Sequence, residues 1–178
     1  MKNKMFIDLL PIETERLLID KTTVKDIDFI LKIDKQEETQ KYLGGIKNKS
    51  REERLLFLQK KEDKFLGGIS SSLTVYLDSV PIGFVGLKID EANNEGEISY
   101  IFDLDYTKKG YCTEVVDSLI NICFKTLKLT CLKADTVEGN NGSIKVLIKN
   151  GFEYIDYSIR DGIKFNNYTL KNKFIDNV

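Results

Sequence analysis

The chain has 178 residues, a length that one domain with a sizeable core accommodates. Hydrophobic residues make up 42% of it, and 27 basic against 28 acidic side chains leave a net charge of −1; this balance argues against a disordered chain and against a nucleic-acid binder, which carries a basic excess. Histidine is absent, which excludes Ser-His and Cys-His nucleophile systems, speaks against a zinc site, and leaves a carboxylate, a tyrosine, a perturbed lysine or water as the general base.

No apolar run approaches the roughly 20 residues of a membrane span, and the N-terminus turns polar too early for a signal peptide. The cysteines show no metal-ligand spacing, and their odd number argues against a disulfide framework. A cytoplasmic protein is therefore expected, with no metal, nucleic acid or membrane partner.

In chain order, residues 16–20 read as a short strand. Thr22 or Thr23 can cap a helix carrying Val24, Ile27, Ile30, Leu31 and Asp34. Residues 35–49 are polar, contain Gly44-Gly45, and read as loop. Ser50-Arg51-Glu52-Glu53 is a capping box, opening a helix through Leu55, Leu56, Leu58 and Phe65 that Gly67-Gly68 ends. A meander follows, with strands at 73–77, 81–89 and 97–104 and turns at Asp78-Ser79 and 93–96. The middle strand is almost continuously apolar, so it is expected at the centre, with Pro81 opening it where a missing donor does least harm. From Thr113 the period becomes helical, in Val115, Val116, Leu119, Ile120, Ile122, Cys123 and Leu127. A strand at 132–137, a helix at 140–150 stopped by Gly151, and a hairpin of strands 153–160 and 164–170 around Asp161-Gly162 complete the chain. The order predicts a single α+β domain over residues 1–178. Its mixed, mainly antiparallel sheet has six to seven strands, with helices on both faces.

The loop before the helix at 113 has a chemical meaning. A helix start offers backbone N–H groups without partners and a dipole that favours negative charge. Gly110 permits unusual dihedrals and close approach, and Lys108 and Lys109 add positive charge. Together they suit a phosphate or pyrophosphate.

Two stretches carry a family resemblance. Thr107-Lys108-Lys109-Gly110-Tyr111-Cys112, followed by Thr113-Glu114, matches a pyrophosphate loop of pattern Gln/Arg-x-x-Gly-x-Gly/Ala. Asn140, Ser143, Val146, Lys149, Gly151 and Phe152 match a second signature. With them the chain resembles the GNAT acyltransferase superfamily, whose members bind acyl-CoA. The serine variant, and the opening Ile12-Glu13-Thr14-Glu15-Arg16-Leu17-Leu18-Ile19, are similar to the RimJ/RimL-type ribosomal-protein N-acetyltransferase branch.

The resemblance implies acetyl transfer from acetyl-CoA to a primary amine, a protein N-terminus or a small molecule, by direct attack in a ternary complex. Lys108, Lys109, Gly110, Tyr111, Cys112 and Thr113 would hold the pyrophosphate. Ile101, Phe102 and Asp103 would pair with the pantetheine arm through their backbone, and Asn140 would bond it from the other side. Lys145 and Lys149 are candidates for the remaining phosphate. Glu97 stands where the family often places its acid and would take the amine's proton through a water. Leu147 occupies the position of the tyrosine that protonates the leaving thiolate in related enzymes, which leaves Ser143, with Tyr100 as a further donor. The first two helices and their connection would line the acceptor site.

The chain departs from the pattern at Thr107, Lys108 and Cys112, where the family has Gln or Arg, often Gly, and Gly or Ala. These changes, with the missing tyrosine, keep open a catalytically silent CoA-binding module and a nucleotide-phosphate binder. Cys112, at a helix start beside lysines, would be expected to have a lowered pKa. A monomer or a homodimer is expected.

Overall fold

The computed structural model describes residues 1–43, 49–66 and 71–174. Gly44-Gly45 and Gly67-Gly68, read above as part of a loop and as a helix stop, lie outside the described residues. The strands are β1 (Ile12–Glu13), β2 (Leu18–Lys21), β3 (Ser71–Leu77), β4 (Val80–Asp90), β5 (Glu95–Phe102), β6 (Cys131–Val137), β7 (Glu153–Arg160) and β8 (Ile163–Lys171). They form one sheet in the order β1-β2-β3-β4-β5-β6-β8-β7. Every neighbouring pair is antiparallel except β5 and β6.

Both tight hairpins follow from turn chemistry. Asp78 and Ser79 take φ of 47° and 67°, and Asp161 and Gly162 take 50° and 77°. Two successive positive φ values match the right-handed twist of the flanking strands. The expected six to seven strands become eight because Ile12–Glu13 pairs with Leu18–Ile19 in a two-residue strand too short to show a period. The strand expected at 97–104 begins at Glu95 and stops at Phe102.

The described helices are α1 (Lys2–Ile7), α2 (Ile27–Asp34), α3 (Glu37–Gln40), α4 (Arg51–Leu66), α5 (Tyr111–Asn121) and α6 (Asn141–Lys149). None is long and apolar enough to cross a membrane. Among the described residues, side chains cap several helical starts. Thr23 accepts from the Lys25 N–H at 3.3 Å, in a short turn before α2, and its own N–H donates to Asp26 at 2.8 Å. Ser50 and Glu53 exchange bonds of 2.7 and 3.2 Å at the start of α4. Asn140 takes the Ser143 N–H at 3.2 Å at α6. Sequence pattern missed α1, which buries Phe6 completely, and the four-residue α3 inside the segment read as loop.

Helices cover both faces, and β4 shows how. Successive strand residues point to opposite faces. Val85, Leu87 and Ile89 pack with Val115, Val116 and Leu119 of α5 in the main core. Phe84 points the other way and packs with Ile27, Ile30 and Leu58 of α2 and α4. Arg54 clasps Asp34 between those two helices, Nε to Oδ2 at 2.6 Å.

Asp103 ties α2 to the end of β5. Its N–H donates to the Ile82 carbonyl at 2.9 Å. Its buried carboxylate accepts from the Lys32 ammonium, from Gln36 Nε2 at 2.7 Å and from the Asp105 N–H at 3.2 Å. Burial alone would raise its pKa, but these donors outweigh it and hold the carboxyl below its ordinary value. Its folded pKa is depressed, so the stabilisation is complete above the unfolded value and is lost as pH falls through the folded one. Asp103→Ala should destabilise the protein by about 1–3 kcal/mol, because Gln36 Nε2 and the Asp105 N–H lose their acceptor and Lys32 keeps only the exposed Asp105 carboxylate. Urea unfolding checks this, and the difference from wild type should shrink in acid.

Candidate active site

β5 and β6 pair only through Glu95, Gly96 and Glu97 against Cys131, Leu132 and Lys133. Beyond that point they part. The Asn94 carbonyl accepts from Thr130 on the β6 side at 2.9 Å, while the Asp103 N–H turns to β4. Backbone groups alternate along a strand, so those of Ile98, Tyr100 and Phe102 face the gap. A cleft of about 1560 Å³ occupies it and extends from the α5 start to the outer side of β4.

One end of the cleft is the loop into α5. Lys108 has φ of 61° and Gly110 a φ of 85°. The left-handed Lys108 costs about 1–2 kcal/mol relative to a relaxed backbone, which is why glycine suits this position. No side chain caps α5. Its first intrahelical bond runs from the Glu114 N–H to the Gly110 carbonyl at 3.0 Å. The N–H groups of Tyr111, Cys112 and Thr113 precede it and have no partner within the helix.

Glu114 holds this loop to the start of the chain. Its carboxylate accepts from Thr14 Oγ1 at 2.6 Å, from the Arg16 N–H at 2.9 Å and from Arg16 Nε at 2.7 Å. Arg16 also donates to the Lys109 carbonyl at 3.2 Å and stacks 4.6 Å from the Tyr111 ring centre. A Cβ on Gly110 would meet Arg16 Nη2 at 3.3 Å.

In the middle of the cleft, the Tyr100 hydroxyl lies 3.0 Å from Ser143 Oγ and donates to the Ser143 carbonyl at 3.2 Å. Burial pushes the Tyr100 pKa far above its ordinary value, so the phenol keeps its proton. Glu97 sits where the strands part. It is half exposed and 3.8 Å from the Lys88 ammonium.

A family model for the acetyltransferase (GNAT) domain matches residues 16–153. The chain belongs to the GNAT acetyltransferase family. The N-acetyltransferase p20 of Bacillus licheniformis is 26% identical over 166 residues, covering 92% of this chain and 90% of that protein. A GNAT-family acetyltransferase from Bacillus anthracis superposes with a TM-score of 0.79 at 23% identity, over 91% of this chain and 98% of that one. RimL, a ribosomal-protein α-N-acetyltransferase solved with coenzyme A, superposes with a TM-score of 0.78 at 14% identity, over 90% and 97%. The chain is thus an N-acetyltransferase by family, and it shares its fold with RimL.

The GNAT cleft brings together most of the residues expected from sequence. Glu97, Tyr100, Ile101, Phe102, Lys108, Gly110, Tyr111, Cys112, Thr113, Asn140, Ser143 and Lys149 all line it. Three of the expected residues need correction. Asp103 does not face the gap, because its N–H is spent on Ile82; the same alternation turns the Ile101 backbone to β4 and leaves Tyr100 and Phe102 to meet an arm. Lys109 does not line the cleft; its ammonium donates to the Asp105 carbonyl at 2.9 Å and lies over Tyr106. The Cys112 thiol also departs from expectation, since burial pushes its pKa strongly upward. Leu147, in the tyrosine position, is fully buried core.

Sequence reasoning missed the roles of Arg16 and Glu114. The Thr-x-Arg-Leu run was visible, but no local rule pairs it with a glutamate 98 residues later. Burial opposes the charge on Glu114, yet the Thr14 and Arg16 donors prevail and depress its pKa from an ordinary 4.5. Its stabilisation is therefore complete above that value and fades as pH falls through the lowered one. Glu114→Gln should flatten the acid side of the stability–pH curve, measured by thermal unfolding. It should also weaken coenzyme A binding about tenfold by releasing the loop.

Proposed function

We propose that the chain transfers an acyl group, acetyl by preference, from acyl-CoA to a primary amine within a ternary complex. The observation that carries this reading is one continuous cleft in which the open edge of β5 leads to the uncapped start of α5. The donor set fits the ligand's chemistry. N–H groups at Tyr111, Cys112 and Thr113, with Lys108 beside them, suit a diphosphate. Backbone groups of Tyr100 and Phe102 suit the amides of pantetheine, in the manner of an added strand. Asn140 spends its oxygen on Ser143, which leaves its amide N–H₂ for the arm. Lys145 and Lys149 line the same cleft and suit the remaining phosphate.

Acyl-CoA supplies an activated thioester carbon and a thiol leaving group. The protein's part is proton handling. An α-amine titrates near 8 and a lysine amine near 10.4, so the acceptor arrives mostly protonated. Glu97 takes that proton through a water. The amine then bonds to the acyl carbon, the carbon–sulfur bond breaks, the new amide nitrogen sheds its second proton to solvent, and the departing sulfur takes a proton from Ser143 or Tyr100, which regains one from water. The RimL likeness favours a protein N-terminus as the acceptor, with a small-molecule amine as the second candidate. Three unpaired cysteines support a reducing, cytoplasmic setting.

Acetyl-CoA should raise the melting temperature where ATP and NAD do not. Gly110→Ala, strained at that φ and crowded against Arg16, should reduce the affinity about tenfold or more. Mass spectrometry should find an acetylated amine, with free thiol released in step. Binding without product from any amine would instead identify a silent CoA-binding module.

Glu97→Gln should lower kcat about a hundredfold near neutral pH, while Tyr100→Phe and Ser143→Ala should each cost about tenfold or more. A Glu97→Gln rate equal to wild type would remove Glu97 from the mechanism.

A further inference from the structure

The sheet ends differently at its two edges. β1 has two residues, whereas β7 runs for eight, with β8 on one side and no described strand on the other. Every β7 residue except Ser158 is exposed, including Tyr157 at 55% and Ile159 at 67%. A long edge carrying apolar side chains, with no lysine or proline inside it, is what stable monomers avoid leaving bare.

The geometry of that edge can be read residue by residue. The Lys164 carbonyl accepts from the Glu138 N–H at 2.9 Å, so Lys164 turns its backbone to the β6 side. By alternation Ile163 and Phe165 turn to β7, where their partners are Arg160 and Ser158. Tyr157 and Ile159 therefore present their N–H and C=O groups on the bare side. Side chains sort in the same way. Asn167 Nδ2 donates to Asp156 at 2.7 Å, and the Arg160 guanidinium lies 3.8 Å from the Phe165 ring centre, which puts Asp156 and Arg160 on one face. Tyr157, with Lys164 at 4.6 Å from its ring centre, shares the other face with Ile159. An irregularity between Tyr154 and Asp156 ends the regular edge.

We propose that β7 pairs antiparallel with β7 of a second copy, across a two-fold axis through Ser158. Tyr157 then opposes Ile159 of the other copy, and their outward backbone groups exchange hydrogen bonds. Asp156 opposes Arg160, and each pairing occurs twice, as an isologous contact requires. Within residues 156–160 this register alone satisfies backbone alternation while setting opposite charges against each other. An axis at Tyr157 would bring the irregular Ile155 against Ile159. One at Ile159 would leave Arg160 opposite Ser158 and Asp156 beyond the end of the partner strand. Arg160 also meets Asp135 in its own chain, and a guanidinium has donors for both. Arg160 and Asp161 line the cleft, so the joined edge lies beside the cleft of each copy.

Light scattering after size-exclusion chromatography should give a dimer for wild type. Asp156→Arg sets arginine against arginine and should raise the dimer Kd roughly tenfold. The double variant Asp156→Arg, Arg160→Asp should recover it. Ser158→Cys places two thiols on the axis and should give a covalent dimer under mild oxidation, which wild type and the Ser158→Cys, Asp156→Arg variant do not. The cysteine test holds even if Arg160→Asp fails to fold. A wild-type monomer at tens of micromolar, or a dimer indifferent to Asp156→Arg and not linked through Ser158→Cys, overturns the proposal.

Discussion

Two parallel strands that stay paired for only three residues determine the layout of this protein. Past Glu97 and Lys133, β5 is held by β4 alone and β6 by β8 alone. Unpaired backbone groups in a protein interior are costly, so such a gap persists only where water or a ligand meets them. The surroundings fix its shape. Asp103, gripped by Lys32 and Gln36, anchors the far end of β5 to α2. Tyr100 reaches across to Ser143 at the start of α6. The open edge is thus a built surface and not a frayed strand.

At the end of the cleft formed by the loop into α5, the arrangement of charge differs from what composition suggests. Three cations lie near the loop, but two are already engaged. Arg16 is taken up by Glu114 and the Lys109 carbonyl, and Lys109 by the Asp105 carbonyl. Arg16 shapes the loop, and its carboxylate partner largely cancels its charge. What remains for an anion is Lys108 and the N–H groups at the start of α5, whose strength is directional and depends on the left-handed backbone at Lys108 and Gly110. This explains how Thr107 can replace a cationic or amide side chain. In the proposed complex the backbone would supply the donors, with Glu114 keeping them aimed.

Most of the fold was legible because its signals are local. The meander and final hairpin carry turn residues that demand positive φ, and the helices at 24, 50 and 140 carry caps three residues long. What escaped notice was either too short to have a period, such as Ile12–Glu13 and Glu37–Gln40, or depended on a distant partner. The site divides in the same way. Gly110, Asn140 and Ser143 were visible through motif spacing. The orientation of Asp103 was not, because which edge of a strand faces a gap is set by the hydrogen-bond register with its neighbour, and that register is not written in any one strand. Cys112 shows a competition that sequence cannot settle. A helix start and nearby lysines lower a thiol's pKa, burial raises it, and here burial prevails.

The absence of histidine then acquires a structural counterpart. Glu97 and Tyr100 are three residues apart on one strand, so their side chains leave opposite faces of the sheet. Glu97 lies opposite Lys88, on the face where Phe84 packs against α2 and α4. Tyr100 lies on the face of α5 and meets Ser143. In the proposed reaction the amine loses its proton on the first face and the sulfur gains one on the second, with the gap between β5 and β6 joining them. One imidazole could not serve both tasks across a sheet. The acceptor's proton and the sulfur's proton therefore fall to different groups, Glu97 on the first face and the hydrogen-bonded Ser143–Tyr100 pair on the second.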